Sequence, residues 1–349
     1  MTNELWNGEI VKKQLTVGSF FAGLGGICLA FKKAGYQLKW SNEIDKATCK
    51  TYRKNFDHTL IEGDICELDP KDKRLGKVDV ITGGFPCQAF SIAGFRKGFD
   101  DERGRGKLFF QMLRFIDVYQ PKVLFFENVR NLQSHNNGKT YKAIERALTK
   151  RGYTVCARVL DTCEYSKVPQ HRERFYMVCF RNSKYARLFE KIGWPKKVPA
   201  SRRYKYWDIV NETADDIHYF NRYPHYYKPA METIKNTGNE KEVFYQWRRV
   251  YCRKNKNGVC PTLTANMGGG GHNVPLVMDK KDLRRLTPEE CLKLQGVDPT
   301  TFKFPEDVSL GNRYKQIGNA VSVPVVEAIA KGILEVLDAS NKKKPTGQQ

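Results

Sequence analysis

The feature that most constrains this chain is the alternation of short apolar runs with amphipathic stretches along its first half. Leu15–Phe21 and Gln37–Asn42 have the β-branched and aromatic character of strands, while Gly25–Ala34 and Lys46–Lys54 have helical periodicity. Strands that alternate with helices form an open, mostly parallel sheet that helices cover on both faces. We therefore predict an α/β fold with a doubly wound, Rossmann-like sheet.

The alternation continues to about residue 180, and the pattern then changes. The further predicted strands are Lys77–Thr82, Lys122–Glu127, Thr154–Leu160 and Arg174–Phe180, with predicted helices at Lys107–Tyr119 and Tyr141–Lys150. From Asn182 to Lys281 aromatic, basic and glycine residues dominate, so we expect a smaller domain with little regular structure. Helical periodicity returns at Thr287–Gln295, where Thr287 begins a helix N-terminal pattern, and at Ala320–Leu337.

The charge of the chain indicates a polyanionic partner. Sixty Lys and Arg residues against 38 Asp and Glu residues leave a net charge of +22. Such an excess favours nucleic acid, whose phosphates attract basic side chains. A generally basic protein from a lysine-rich proteome is the alternative that charge alone leaves open.

Cysteine usage and hydropathy indicate a cytosolic protein. The ten cysteines are scattered singly with no Cys-x-x-Cys pair, so we expect reduced thiols that are mostly buried. We find no run of about 18 apolar residues that would span a membrane and no apolar signal-peptide core at the N-terminus.

A glycine-rich turn after the first predicted strand indicates a nucleoside site. Phe20–Gly26 follows the strand and opens a helix, and its glycines allow a ligand to approach the backbone. Twenty residues beyond Gly23, Glu43 ends the second strand and can accept hydrogen bonds from ribose hydroxyls. Asp64 is placed to accept from an adenine amino group. The three features predict an adenosine-containing cofactor, although such a turn can also serve only to pack a helix on a sheet.

Cys87 is the candidate nucleophile. It lies in Gly83–Gln88, directly after the strand that ends near Thr82, where α/β folds place their chemistry. Most cysteines in cytosolic proteins are buried hydrophobic residues. Cys87 is surrounded by loop-type residues instead, which favours a reactive thiol.

Glu127 is the candidate acid. It directly follows the apolar run Val123–Phe126, and partial desolvation there would raise its pKa. A raised pKa allows a carboxyl group to donate a proton or hydrogen bond at neutral pH. The structural alternatives are a helix N-cap or an ion pair with Arg130.

Two arginines form a second charged motif. Arg172 and Arg174 are two positions apart, so on an extended segment both project to the same side. They are placed to hold a phosphate or a pyrimidine oxygen, and a surface cluster with Glu173 is the alternative.

Taken in order, these motifs resemble those of the DNA (cytosine-5)-methyltransferase family of bacterial restriction-modification systems. The similar segments are Phe20–Ile27, Asn42–Asp45, Gly63–Ile65, Gly84–Ser91, Glu127–Val129, Gln170–Arg174, Arg285–Glu289, Leu294–Gly296 and Gln316–Val321. The resemblance covers nearly the whole chain. It implies an enzyme that methylates carbon 5 of cytosine in double-stranded DNA, with S-adenosylmethionine as donor, S-adenosylhomocysteine as product and no metal ion.

The resemblance also implies roles for individual residues. Cys87 would be the nucleophile, Glu127 would engage ring nitrogen 3, and Arg172 and Arg174 would act near the pyrimidine. The residues implied for the cofactor pocket are Phe21, Gly23, Gly25, Glu43, Ile44, Asp64, Ile65, Pro86, Leu108 and Asn319. The residues expected to contact DNA are Gln88, Ser91, Arg96, Lys97, Arg248, Arg249, Arg253, Thr262 and Thr264.

This sequence departs from the family pattern at three places. Ser19 stands where Asp is common, and Ile44 stands where close relatives often carry an aromatic residue over adenine. Both changes would weaken cofactor binding but would leave the predicted catalytic residues unchanged. The segment Gly94–Gly106 is about two residues longer than in short bacterial relatives. It belongs to Ala89–Gly106, a stretch that we expect to act as a lid over a flipped base.

The resemblance predicts the organisation and the partners of the chain. The predicted parts are a catalytic and cofactor-binding domain at 1–181, a target-recognition domain at 182–281, C-terminal helices of the catalytic domain at 282–340 and a disordered tail at 341–349. We expect a bacterial cytoplasmic monomer, held at the nucleoid by DNA and independent of membranes, with a separately acting restriction endonuclease.

Two other functions remain to be weighed. One is RNA methylation, since one branch of the family modifies tRNA, but a recognition region of roughly 100 residues argues against it. The other is a non-catalytic DNA-binding relative, which predicts a lost nucleophile or cofactor loop, whereas both are intact here.

Overall fold

The computed structural model describes residues 4–6, 9–11, 14–86, 108–237, 241–269 and 272–341, with side chains from residue 14 to residue 339 of these ranges. The strands are β1 (Glu4–Trp6), β2 (Glu9–Val11), β3 (Thr16–Phe20), β4 (Gln37–Glu43), β5 (Thr59–Glu62), β6 (Val80–Gly83), β7 (Val123–Val129), β8 (Thr154–Asp161), β9 (Glu173–Phe180), β10 (Phe244–Arg248), β11 (Tyr251–Lys254), β12 (Val274–Met278) and β13 (Leu283–Arg285). The helices are α1 (Gly26–Lys33), α2 (Lys46–Asn55), α3 (Leu108–Tyr119), α4 (Lys139–Thr149), α5 (Thr162–Tyr165), α6 (Ser183–Ile192), α7 (Tyr206–Ile209), α8 (Pro224–Asn236), α9 (Pro288–Leu294), α10 (Leu310–Asn319) and α11 (Val323–Asn341).

A seven-stranded sheet with the order β5-β4-β3-β6-β7-β9-β8 forms the centre of the protein. The strands from β5 to β7 pair in parallel, and β9 pairs antiparallel with both β7 and β8. The predicted α/β fold with a mostly parallel sheet is therefore confirmed. Strand β3 has β4 as its neighbour on one side and β6 on the other, so the strand order reverses direction at β3. A reversal of this kind opens a crevice at the carboxyl ends of the strands.

The apolar run in β7 shows why this sheet needs cover on both faces. Val123 and Phe125 belong to one apolar cluster, together with Phe31 of α1. Leu124 and Phe126 belong to a second cluster on the opposite face. Successive side chains of a strand point to opposite faces, so a strand buried on both faces is apolar at every position. Glu127 continues this run, which places a carboxyl group at the buried end of a central strand.

A second sheet, antiparallel and four-stranded, has the order β11-β10-β12-β13. Tyr245 and Trp247 of β10 pack in a cluster with Ala230 and Ile234 of α8. The expectation of little regular structure between residues 182 and 281 is therefore wrong. The sequence pattern did not reveal the small sheet because its strands have only three to five residues and Pro275 interrupts the apolar pattern of β12. In addition, the partners that bury its aromatic residues are distant in sequence.

The elements do not divide at the predicted domain borders. Helix α6 begins at Ser183 but packs against β8 and α11 of the large-sheet layer. The small sheet continues past residue 281 into β13. The division into domains at 181 and 281 stays a prediction.

Near the C-terminus the structure contains two helices where one was predicted. The predicted helix Ala320–Leu337 corresponds to α11, which begins at Val323, because Ala320 is extended. Helix α10 was missed, since its two glycines lower its helix propensity. Its start carried a usable signal, because the Ser309 hydroxyl accepts a hydrogen bond from the backbone N–H of Asn312. The predicted start at Thr287 is confirmed by a capping box with Glu290.

The nine cysteines in the described part of the chain are all free thiols, and eight of them are buried. Cys66 is exposed. No helix within the described ranges is both long enough and apolar enough to cross a membrane.

The close approach of α11 to the end of α6 gives a first prediction. A Cβ atom at Gly332 would overlap the backbone carbonyl of Gly193. Gly332→Ala should therefore lower the free energy of unfolding by about 1–3 kcal/mol through overpacking. The matched control is Gly311→Ala in α10, where a Cβ meets nothing within 4 Å, and it should leave stability unchanged or raise it by up to about 1 kcal/mol. Urea unfolding of both variants measures the difference, and equal effects would contradict the packing argument.

Candidate active site

The turn after β3 is tied to the end of β4 through Glu43. The backbone N–H of Gly23 donates to Glu43 Oε2 at 2.8 Å. The N–H groups of Ile44 and Asp45 donate to Oε1 at 2.8 and 2.9 Å. A carboxylate offers about four acceptor sites. Glu43 therefore shapes this turn and retains an acceptor site for a ribose hydroxyl.

The same end of the sheet presents apolar and polar groups for the rest of a nucleoside. Ile44 is 59% exposed and lines the cleft together with Phe21, so the two supply apolar surface for a planar ring. Asp64 follows β5, and its Oδ1 accepts from the backbone N–H of Cys66 at 2.9 Å, which leaves Oδ2 for a ligand. Gly23 has no atom within 4 Å of a Cβ built on it, so its backbone is open to a ligand.

Gly25, which the sequence also assigned to the cofactor, is not among the residues that line the cleft. It has a φ of 97° at the start of α1, and a Cβ there would overlap the Phe56 ring. The observed contacts therefore give Gly25 a role in packing α1 on its neighbours, and its contact with a cofactor stays a prediction.

Glu127 lies at the carboxyl end of β7 and is only 8% exposed. Burial raises the pKa of its carboxyl group, against the opposing charges of Arg174 and Arg172. Arg174 Nε lies 3.1 Å from Glu127 Oε1. This pairing fixes the orientation of the carboxyl group and leaves Oε2 for another partner.

Arg172 is 1% exposed, and its two Nη groups donate to backbone carbonyls, whereas its Nε has no hydrogen-bond partner within the described residues. It donates to the carbonyl oxygens of Leu263 at 2.8 Å, of Gly318 at 3.1 Å and of Ala320. Burial, reinforced by the neighbouring charge of Arg174, lowers the pKa of Arg172 to about 9. Its predicted action near a pyrimidine stays a prediction, and its observed contacts join three chain segments.

The segment that leads to the candidate nucleophile is anchored by Asn128. The side-chain amide of Asn128, which is buried, donates to the carbonyl of Phe85 at 2.7 Å. Pro86 lines the cleft, and Cys87 is the next residue in the sequence. Cys87 itself lies outside the described residues.

Sequence reasoning did not assign Asn128 to the site, although a polar residue at the buried end of an apolar strand was a usable signal.

One cleft of about 830 Å³ unites most of the predicted residues. Twelve of them line it: Phe21, Gly23, Glu43, Ile44, Asp64, Ile65, Pro86, Leu108, Glu127, Arg172, Arg174 and Asn319. The cleft therefore runs from Glu43 and Asp64, its predicted nucleoside end, to the buried Glu127–Arg174 pair. Its volume lies within the range of about 300–1,000 Å³ that is usual for ligand pockets.

Gln316 of α10 is a cleft residue that sequence reasoning missed. Its side chain is buried, and neither atom of its amide has a hydrogen-bond partner within the described ranges. Buried amides are normally paired, so this one is available to a ligand in the cleft. The only sequence signal was its place in the segment Gln316–Val321.

A second groove, of about 690 Å³, lies between the large-sheet layer and the small sheet. Four predicted DNA contacts line it: Arg248, Arg253, Thr262 and Thr264. Arg249 is not among the lining residues and lies between β10 and β11 with a φ of 60°. Gln88, Ser91, Arg96, Lys97 and the lid segment Ala89–Gly106 lie outside the described residues.

Three potential metal ligands also meet at this groove. The donor atoms of Asp161, Cys163 and His171 lie within 4.8 Å of one another. The Asp161 carboxylate pairs with His171 and accepts from the backbone N–H groups of Arg172 and Cys163. These hydrogen bonds account for the arrangement without an ion.

Comparison with known proteins connects this geometry to a family. The family model for C-5 cytosine-specific DNA methylase matches residues 15–335. Type II methyltransferase M.Bsp6I of Bacillus sp. (strain RFL6) is 44% identical over 321 residues, covering 91% of this chain and 98% of that protein. Type II methyltransferase M.HhaI of Haemophilus parahaemolyticus is 36% identical over 338 residues, covering 93% and 97%.

Solved structures share the fold. The crystal structure of the S. pombe Dnmt2 methyltransferase superposes with a TM-score of 0.67 at 17% identity, covering 93% of this chain and 100% of that one. The Entamoeba histolytica methyltransferase EhMeth superposes with a TM-score of 0.70 at 17% identity, covering 93% and 99%.

The contacts of the two arginines predict different effects on stability. In Arg172→Lys one nitrogen replaces the two Nη groups, which reach Leu263 on one side and Gly318 and Ala320 on the other. We therefore expect at least one of the three buried carbonyls to lose its partner, at about 1–3 kcal/mol each. Arg174→Lys is the matched control, because a lysine there can still pair with Glu127. Urea unfolding should show a clearly larger loss for Arg172→Lys. Equal losses would mean that the carbonyl contacts of Arg172 do not support the fold.

Proposed function

This chain belongs to the C-5 cytosine-specific DNA methylase family and is a DNA cytosine-5-methyltransferase, and from that premise we propose that it acts on a flipped cytosine through a covalent bond to Cys87. The observation that carries the proposal is the shared cleft of Glu43 and Glu127. Glu43 stands at its nucleoside end, whereas Glu127 Oε2 lies 3.7 Å from the position of a Cβ built on Gly84, in the segment that leads to Cys87. A cofactor and a base can therefore meet in one cavity.

The nucleophile is needed because carbon 5 of cytosine is weakly reactive. The Cys87 thiol loses its proton, and the thiolate adds to carbon 6, which makes carbon 5 nucleophilic. The negative charge that develops on the ring is relieved at nitrogen 3. After carbon 5 has been methylated, its proton passes to solvent, the bond to Cys87 breaks and the thiolate is released.

Glu127 is the group that we assign to nitrogen 3. Burial raises its pKa, so it keeps a proton to a higher pH than an exposed glutamic acid does. Arg174 holds Oε1, which leaves Oε2 to face the base. As pH rises through the pKa of Glu127, the proton is lost and donation to nitrogen 3 fails.

The nucleoside end of the cleft fits S-adenosylmethionine. The remaining acceptor site of Glu43 would take a ribose hydroxyl, Asp64 would accept from the adenine amino group, and Ile44 and Phe21 would cover the ring. The buried, unpartnered amide of Gln316 would complete the wall. When bound, S-adenosylmethionine supplies an activated methyl group on a sulfonium.

The basic groove is the surface that we assign to DNA. In a duplex carbon 5 is stacked between neighbouring bases, so the target base must leave the helix to reach Cys87. The net charge of +22 and the arginines of the groove favour duplex phosphates. We assign residues 1–181 and 282–340 to catalysis and residues 182–281 to target recognition, and we give Ala89–Gly106 the role of lid.

The relatives suggest a biological setting. Both sequence relatives are named type II methyltransferases. We propose that this chain is likewise the modification half of a restriction-modification pair, acting as a monomer and protecting host DNA from a separate endonuclease.

The covalent step predicts the behaviour of Cys87→Ser. A serine hydroxyl at neutral pH is a much weaker nucleophile than a thiolate, so transfer of tritiated methyl groups to duplex DNA should vanish. The same assay with tRNA in place of DNA serves as the substrate control. Normal turnover of Cys87→Ser would overturn the mechanism, and preferential labelling of tRNA would overturn the substrate assignment.

The assignment of Glu127 predicts a separation of chemistry from cofactor binding. Glu127→Gln can form a hydrogen bond but cannot donate a proton, so turnover should fall by about 10²- to 10⁴-fold. Affinity for S-adenosylhomocysteine, measured by calorimetry, should stay within about 3-fold, because Glu43 and Asp64 lie at the other end of the cleft. The matched variant Glu43→Gln should show the opposite pattern, with weaker binding of S-adenosylhomocysteine. A loss of cofactor affinity in Glu127→Gln alone would refute the assignment.

A further inference from the structure

The hairpin β10–β11 presents a polar face to the groove. Its cross-strand pairs include Gln246 with Arg253 and Arg248 with Tyr251. The alternate pair, Trp247 with Cys252, is buried in the apolar cluster on the other face. Gln246, Arg248 and Arg253 all line the groove. The hairpin therefore directs one face into its own core and the other toward the surface that we assign to DNA.

Gln246 is unusual on this face because it is almost completely buried. Its side chain is 3% exposed, whereas Arg253 is exposed. Gln246 Oε1 accepts from Arg253 Nε at 3.0 Å and from Arg248 Nη1 at 3.4 Å. A buried amide that accepts from a guanidinium restrains the rotamers of that arginine before any ligand arrives.

The remaining donors of Arg253 are free of acidic partners. No carboxylate in the described part of the chain forms an ion pair with it. Its hydrogen bond to Gln246 uses Nε, so the two Nη groups at the end of the fork remain available. Two parallel N–H donors match the N7 and O6 acceptors that guanine presents in the major groove.

We propose that Arg253, held in place by Gln246, reads a guanine of the target sequence through N7 and O6. The inference rests on the proposed action on duplex DNA. Arg253 contacts the base and Gln246 is a positioning residue. A phosphate contact is the competing role, but a phosphate can be reached from many rotamers and does not require a buried amide to fix the guanidinium.

The test begins with the wild-type protein and needs no variant. Bisulfite sequencing of a methylated library of randomised duplexes gives the recognition sequence. Duplexes of that sequence are then made with 7-deazaguanine in place of one guanine at a time, which removes only the N7 acceptor. We expect kcat/KM to fall on the order of 10-fold or more at the guanine that Arg253 reads.

The variants then link that guanine to the hairpin. Arg253→Ala should lose activity on the unmodified duplex and show no further loss with 7-deazaguanine at that position. Gln246→Leu removes the acceptor but keeps an apolar side chain of similar length, and it should weaken the 7-deazaguanine effect several-fold. Lys235→Ala removes an exposed charge from α8, outside the groove lining, and it should keep the full effect. Circular dichroism melting verifies that each variant is folded.

The outcomes separate this inference from the proposed function. If the wild-type protein methylates no duplex DNA, the proposed function fails. If it methylates DNA but Arg253→Ala remains as sensitive to 7-deazaguanine at every position as the wild type, the guanine contact is refuted. A uniform loss across all sequences in Arg253→Ala, with a smaller salt dependence of binding, would make Arg253 a phosphate contact and would also refute it.

Discussion

The guanidinium of Arg172 is the contact on which the geometry of the site depends. It lies directly before β9 and donates to the carbonyls of three residues that are far away in sequence: Leu263, Gly318 near the end of α10, and Ala320 directly after α10. Its own backbone N–H donates to Asp161 at the end of β8. A buried cation is expensive unless hydrogen bonds replace its water. The three carbonyls do so for the two Nη groups, and they thereby hold the segments of Leu263 and of Gly318–Ala320 against Arg172.

That arrangement also determines the electrostatics around Glu127. Two guanidinium groups favour the charged carboxylate, but desolvation outweighs them and raises its pKa. Arg174 is paired with Oε1 of Glu127, which lines the cleft, while the two Nη groups of Arg172 donate to carbonyls instead of to this carboxyl group. A carboxyl group whose pKa is raised by burial is better suited than an exposed one to donate a proton where negative charge develops.

A second buried network fixes the small sheet against this frame. Arg284 of β13 donates to both carboxylate oxygens of Glu290 at 2.8 Å and to the carbonyl of Asn211 at 3.0 Å, and it also pairs with Asp279. Glu290 in turn caps the start of α9. The network therefore ties β13, an edge strand of the small sheet, to α9. A restrained sheet can hold arginine donors in register with base edges, which is the role proposed for Gln246 and Arg253 in the hairpin β10–β11.

The sequence by itself determined the order and type of β3, β4 and the four strands from β6 to β9, because apolar periodicity records which faces of each element are buried. It also predicted Glu43, Glu127 and Cys87 as functional residues, because each lies at or just after the carboxyl end of a predicted strand. Only the tertiary structure decided the roles of Arg172, Asn128 and Gln246, and it revealed the small sheet. The hydrogen-bond partners of these three residues lie in other segments of the chain. The separation in sequence is 7 residues for Gln246 and Arg253 and 148 residues for Arg172 and Ala320. A local pattern shows that a side chain is polar, but whether it meets a ligand or a buried carbonyl depends on which distant segment folds against it.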